Sequence, residues 1–137
     1  MTLRTHFLVL AVSATLGGAA LAAEPPAASS DSPEADASLY GQSVTLPRQA
    51  AVCSERIADY MPRFQRFYEA WRSENAARIA SGGKFIHEQA AKGGVNADDG
   101  MTRLAEADVE RLRKTSLELL TRHCQLMIDS LAPPTTN

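Results

Sequence analysis

The chain has 137 residues, 45% of them apolar and 22% charged, with a formal net charge of −2 and only two cysteines. That length admits one small domain. The acid excess gives no bulk attraction for nucleic acid or for an anionic membrane surface, which argues against a polyanion-binding class of function.

Residues 1–22 read as a cleaved export signal. A single cation, Arg4, precedes an apolar stretch from Phe7 to Leu16, and Ala20-Leu21-Ala22 supplies the small-x-small pattern that signal peptidase accepts. The apolar stretch falls short of the roughly 20 residues that span a bilayer, so no integral membrane anchor is expected. Removing Arg4 takes the net charge from −2 to −3. The expected compartment is the periplasm, with secretion as the alternative. Both oxidise thiols, so Cys53 and Cys124 are expected to form one intramolecular disulfide rather than a catalytic or metal site. The loop it closes is worth about 4 kcal/mol on the chain-entropy estimate.

Residues 23–46 hold prolines, alanines, serines and acids in the part before Leu39, and read as a disordered acidic leader. Leu39 to Pro47 adds large apolar groups without periodicity and suits an extended strap. The folded domain is expected over 47–132, with 133–137 a flexible tail. From about Gln49 to Ser81, Cys53, Ile57, Tyr60, Met61, Phe64, Phe67, Tyr68, Trp71 and Ile79 recur at helical spacing. Pro62 should kink or break that helix near Tyr60, and Gly82-Gly83 should end it. Lys84 to Ala91 suits a short helix, and Lys92 to Gly100 a turn. A second long helix is expected from about Thr102 to Leu131.

The fold class is therefore all-α: an antiparallel helical hairpin or small bundle of two long helices with one or two short ones, stapled by Cys53 and Cys124. Arms of about 40 Å would match in length. In hairpin register Ile57 lies near Leu120, Phe64 near Leu112 and Arg113, and Trp71 near Ala105 and Glu106. Tyr60 and Phe67 fall on the flank of the first stripe beside Arg56 and Arg63, where two helices alone leave them uncovered. The strap, the short helix, a second copy of the chain or another protein must shield them.

Chemical motifs are scarce. His87-Glu88 begins a helical zinc motif, but Ala91 replaces its second histidine, so no metal is expected. Asn96-Ala97-Asp98-Asp99-Gly100 has its glycine one place early for a calcium loop and reads as a turn and helix cap. His123 suits a core or half-buried position, and Asn75 either fixes register or faces solvent. No catalytic residue and no cofactor is assigned. Arginine and tyrosine together are characteristic of protein interfaces, so the candidate protein-binding residues are Arg56, Tyr60, Arg63 and Phe67.

The expected function is a non-enzymatic periplasmic protein-binding module, by architectural analogy an inhibitor or immunity protein for a secreted cell-envelope toxin. Its partner would be another periplasmic or secreted protein, or a second copy in a homodimer, and not nucleic acid. The alternatives are a periplasmic chaperone or stress protein, and a small helical enzyme of unassigned reaction.

Overall fold

Residues 32–133 are described by the computed structural model, and they form five helices: α1 (Pro33–Arg56), α2 (Tyr60–Glu74), α3 (Ala76–Lys92), α4 (Ala97–Arg113) and α5 (Leu117–Leu131). No strand occurs among the described residues. The protein is all-α and carries the Cys53–Cys124 disulfide, with Cα atoms 6.0 Å apart. The expected signal at 1–22 and residues 134–137 lie outside the described residues, as does the leader up to Asp31.

The largest departure from expectation is α1. Residues 33–46 are neither leader nor strap but the first half of a 24-residue helix. Its start is locally encoded: the Ser32 side chain accepts from the Ala35 amide at 3.1 Å, Pro33 opens the first turn, and Glu34 and Asp36 sit where the helix dipole favours acids. Bulk composition hid this cap because the segment has few large apolar groups. What holds it down is a close approach to α3. A Cβ on Gly82 would stand 1.9 Å from the Asp36 carbonyl oxygen, and one on Gly83 would stand 3.1 Å from the Tyr40 ring. The glycine pair therefore does not stop a helix. It lies inside α3, buried, and the missing side chains let two backbones meet. Arg78 Nε closes the same seam on Asp36 at 2.7 Å.

Pro47 lies inside α1 and has no amide to donate to the Ser43 carbonyl. The Tyr68 hydroxyl donates to that oxygen instead, at 2.7 Å. The proline is thus accommodated by a side chain from α2.

Both expected long arms are divided. The first breaks at Ile57 to Asp59, where Asp59 takes a left-handed φ of 56°. Pro62 then falls in the first turn of α2, where a missing amide costs nothing. The second breaks at Lys114 to Ser116, and the Ser116 hydroxyl accepts from the Leu119 amide at 3.4 Å. Between α3 and α4, Gly94 takes a positive φ of 66°, and the Asn96 side chain caps Asp99 at 3.1 Å.

These breaks overturn the simple hairpin register. Arg113 pairs with Glu55 of α1 at 3.1 Å, while Leu112 joins Phe64 in the core. Arg48 donates to the Thr102 carbonyl at 3.4 Å, Gln49 to Asp108 at 3.4 Å, and Arg56 to the Thr115 carbonyl at 2.9 Å. These contacts advance together along both helices, so α1 and α4 run side by side in the same direction.

The core gathers Val52 and Cys53 of α1, Tyr60 and Phe64 of α2, Leu112 of α4, and Leu120, Cys124, Met127, Ile128 and Leu131 of α5. On α2 the rings of Tyr60, Phe64, Tyr68 and Trp71 stack in succession, with centroids 6.3, 5.1 and 5.8 Å apart. Steps of three and four residues align the rings on one helical face.

The packing can be tested at the glycines and at the disulfide. Gly82→Ala forces α1 and α3 apart and should cost about 1–3 kcal/mol in chemical denaturation. Gly100→Ala, where nothing lies within 4 Å of the added carbon, should be neutral or stabilise by up to about 1 kcal/mol. Both cysteine sulfurs belong to residues with 0% exposure, so reductant should yield free thiols only after global unfolding, and the double Cys53→Ala, Cys124→Ala variant should lose about 4 kcal/mol. Rapid thiol labelling of the native protein under mild reductant contradicts this burial.

Candidate functional site

The four residues singled out from the sequence do not form one surface. Tyr60 is 2% exposed and belongs to the core, where its hydroxyl donates to the Cys124 carbonyl at 3.0 Å. It cannot meet a partner, which corrects the sequence expectation. The helical wheel put Tyr60 on the flank of the stripe, and α5 covers that flank. Arg56 is exposed and bonded to the Thr115 carbonyl. Arg63 is exposed and reaches Gln125 Oε1 at 3.4 Å. Phe67 is half-buried against the core, with the Arg66 guanidinium 5.1 Å from its ring centre. The three remaining groups thus lean on α5, the α4–α5 turn or a neighbouring side chain.

Burial raises the Tyr60 phenol to about 12, against a smaller opposing effect of the nearby Arg63 charge. Losing its proton there would place an anion beside the Cys124 carbonyl. The Tyr68 phenol is also raised, again by burial, with Arg72 opposing.

A recess exists on a different part of the molecule. Where α2 bends into α3 at Asn75, an open groove of about 750 Å³ lies between the two helices and Tyr40 of α1. Asn75 fixes the bend by donating from its side-chain amide to the Trp71 carbonyl at 2.8 Å. The apolar lining is Tyr40, Ala76, Ile79, Ala80 and Gly83. The polar lining is Glu69, Arg72 and Ser73 from α2 and Lys84 and His87 from α3. A mostly apolar concavity with a few convergent polar groups is the usual form of a binding site.

His87 is the most constrained of these groups. Its Nδ1 lies 2.7 Å from the Gly83 carbonyl oxygen and its Nε2 lies 3.0 Å from Asp98 Oδ1. A neutral imidazole has one N–H and can serve only one of these acceptors. The Gly83 carbonyl and then Asp98 therefore hold the imidazolium, raising its pKa above the ordinary histidine value although the ring is exposed. The edge of the Tyr40 ring meets it at a centroid distance of 6.1 Å. His87 and Glu88 do not act as a pair, since Glu88 turns back to Lys84 at 3.9 Å.

His123 behaves in the opposite way. Half-buried between α1 and α4, it meets Gln49 Oε1 at 3.2 Å, and burial, assisted by Arg111, lowers its pKa despite Asp108. Gln49 also donates to Asp108, which pairs with Arg111 at 2.7 Å. This chain of polar groups ties three helices together beside the disulfide. Among the described residues, no group of three or more His, Cys, Asp or Glu side chains is placed to hold a metal ion.

Sequence reasoning missed the groove. Nothing in the local sequence marks Arg72, and Gly82-Gly83 read as the end of a helix. The available signal was a glycine pair flanked on both sides by good helix formers, which marks a close backbone approach as well as a stop. Comparison of the chain with known protein families, curated proteins and solved structures finds no match.

The Tyr60 environment has a measurable consequence. An unfolded tyrosine ionises near 10, whereas the folded one holds its proton to about 12. Below pH 10 neither state has lost the proton. As pH rises from 10 to 12 the unfolded state releases it first, so Tyr60 makes stability fall over that window. Tyr60→Phe should lose about 1 kcal/mol at neutral pH from the missing hydrogen bond and show a weaker alkaline decline. An unchanged alkaline slope in denaturant titrations counts against this assignment.

Proposed function

We propose that the protein is a non-enzymatic, exported binding module that docks a segment of another periplasmic or secreted protein in the groove between α2 and α3. The supporting observation is the groove itself: an open, mainly apolar recess bordered by charged groups and held in shape by helices on both sides. The export reading of residues 1–22 and a fully buried disulfide are in keeping with an oxidising compartment. No helix among the described residues is long and apolar enough to cross a membrane. An inhibitor or immunity protein for a secreted cell-envelope toxin is the specific role this reading favours, because such a protein acts by occupying its partner and needs no chemistry of its own.

The site moves from the flank of Arg56, Tyr60, Arg63 and Phe67 to the groove because Tyr60 is inside the core. Arg56 then ties the end of α1 to the α4–α5 turn, Arg63 ties α2 to α5, and Phe67 packs against the core.

A photo-crosslinking residue placed at Ala80, in the groove, should capture one exported protein in living cells. The same residue at exposed Ala51 of α1 should not. The captured protein and this one, both purified, should form a stoichiometric complex that Ala80→Arg weakens at least about tenfold. Equal capture at both positions, a self-adduct alone, or a complex indifferent to Ala80→Arg overturns the proposal.

A further inference from the structure

We infer that the occupant of the groove is an acidic amphipathic helix of the partner protein. The inference rests on the docking function proposed above and narrows the chemistry of the docked segment.

The shape of the groove points to a helix. Ala76 and Ala80 lie one turn apart on the same face of α3 and line the groove, while the Tyr40 ring already covers Gly83 further along it. The small alanine side chains leave room for another backbone to approach to the 8–10 Å typical of packed helices. The lining positions of α3 run from Ala76 to His87, about 17 Å at 1.5 Å per residue, which accommodates three turns of a docked helix. Ile79 and the Tyr40 ring offer apolar contact for residues spaced i, i+4 and i+7 on the incoming segment.

The charge of the lining points to acids. Three cationic groups, Arg72, Lys84 and His87, face one carboxylate, Glu69. Their existing partners are few. Among the described residues no carboxylate oxygen comes within the 4.0 Å ion-pair distance of the Arg72 guanidinium. Lys84 meets Glu88 only at 3.9 Å, and its side chain is 80% exposed. His87 is engaged by Asp98, so it contributes orientation at one end of the groove more than uncompensated charge. Arg72 and Lys84 belong to different helices, and an incoming helix between them would meet a cation on each flank. Carboxylates on both sides of its apolar stripe complement that arrangement.

An acyl chain is a poorer fit, because the groove is open along its length and its apolar lining is dominated by alanine and glycine. A nucleic acid would need stacking faces and several phosphate contacts, and the two rings of the lining, Tyr40 and His87, meet each other edge on.

Three fluorescent helical peptides of about 15 residues test this, each with one leucine stripe at i, i+4 and i+7 and with flanks of glutamate, glutamine or lysine. By fluorescence anisotropy the glutamate peptide should bind at least about tenfold tighter than the lysine peptide, with the preference shrinking as salt is raised. In the double variant Arg72→Glu, Lys84→Glu the order should invert, and Ala80→Arg should abolish binding of all three. Unchanged circular dichroism and melting temperature certify that the exposed substitutions leave the fold intact.

Equal binding of all three peptides, or of the glutamate peptide to wild type and double variant alike, overturns the acidic assignment while the docking function stands. Displacement of the glutamate peptide by anionic phospholipid vesicles but not by an excess of unlabelled peptide also overturns it. If no peptide binds and Ala80 still crosslinks a partner, the occupant is not a helix. If neither occurs, the docking function fails as well.

Discussion

At Gly82 the backbone of α1 passes so near the backbone of α3 that no side chain fits between them. Everything at that end of the molecule is arranged around this contact. It sets Tyr40 against Gly83 and His87, lets Arg78 reach Asp36, and makes one helix of a segment whose composition alone suggests a solvated tail. It also leaves a recess beside itself, because α3 carries small residues on the adjoining positions as well. A glycine pair weakens a helix in isolation by about 1 kcal/mol per residue. Here the loss is offset by contacts that only glycine permits.

The other end of the molecule is organised by different means. There the disulfide, the Tyr60 hydroxyl on the Cys124 carbonyl and the aliphatic face of α5 form a closed core around Phe64. The ladder of stacked rings on α2 connects the two ends. Tyr60 and Phe64 lie in the core, Tyr68 reaches the interrupted turn of α1 at Ser43, and Trp71 supplies the carbonyl that fixes Asn75 at the bend. One helix face thus seals the core at its start and shapes the groove at its finish.

Much of the fold was legible in the residues, and the illegible parts share a cause. The apolar spacing in 49–81 and 102–131 marked helices, Pro62 marked the first break, and the cysteine count marked the staple. Each of these is a local or a counting signal. Gly82-Gly83 was ambiguous because a glycine pair is either a stop or a close contact, which only the rest of the fold decides; Ser32 lay within the expected leader and Ser116 within the expected second helix, so neither was read as the cap it is. Tyr60 was misplaced because a wheel drawn for a two-helix hairpin cannot know that α5 lies across its flank. The groove escaped for the same reason: its lining comes from three helices, and no short stretch of sequence contains it.

The placement of the covalent staple divides α1 into two unequal regimes. Cys53 anchors its final turns, while Tyr40 lies thirteen residues earlier, about 20 Å along the axis. The cross-link restrains one half of the helix and exerts little hold on the other, where the seam rests on van der Waals contact and an ion pair. The groove therefore takes its shape from the fit of α1 on α3 and from the Asn75 bend, not from the cross-link, and a change to the disulfide is felt first in the core at the far end.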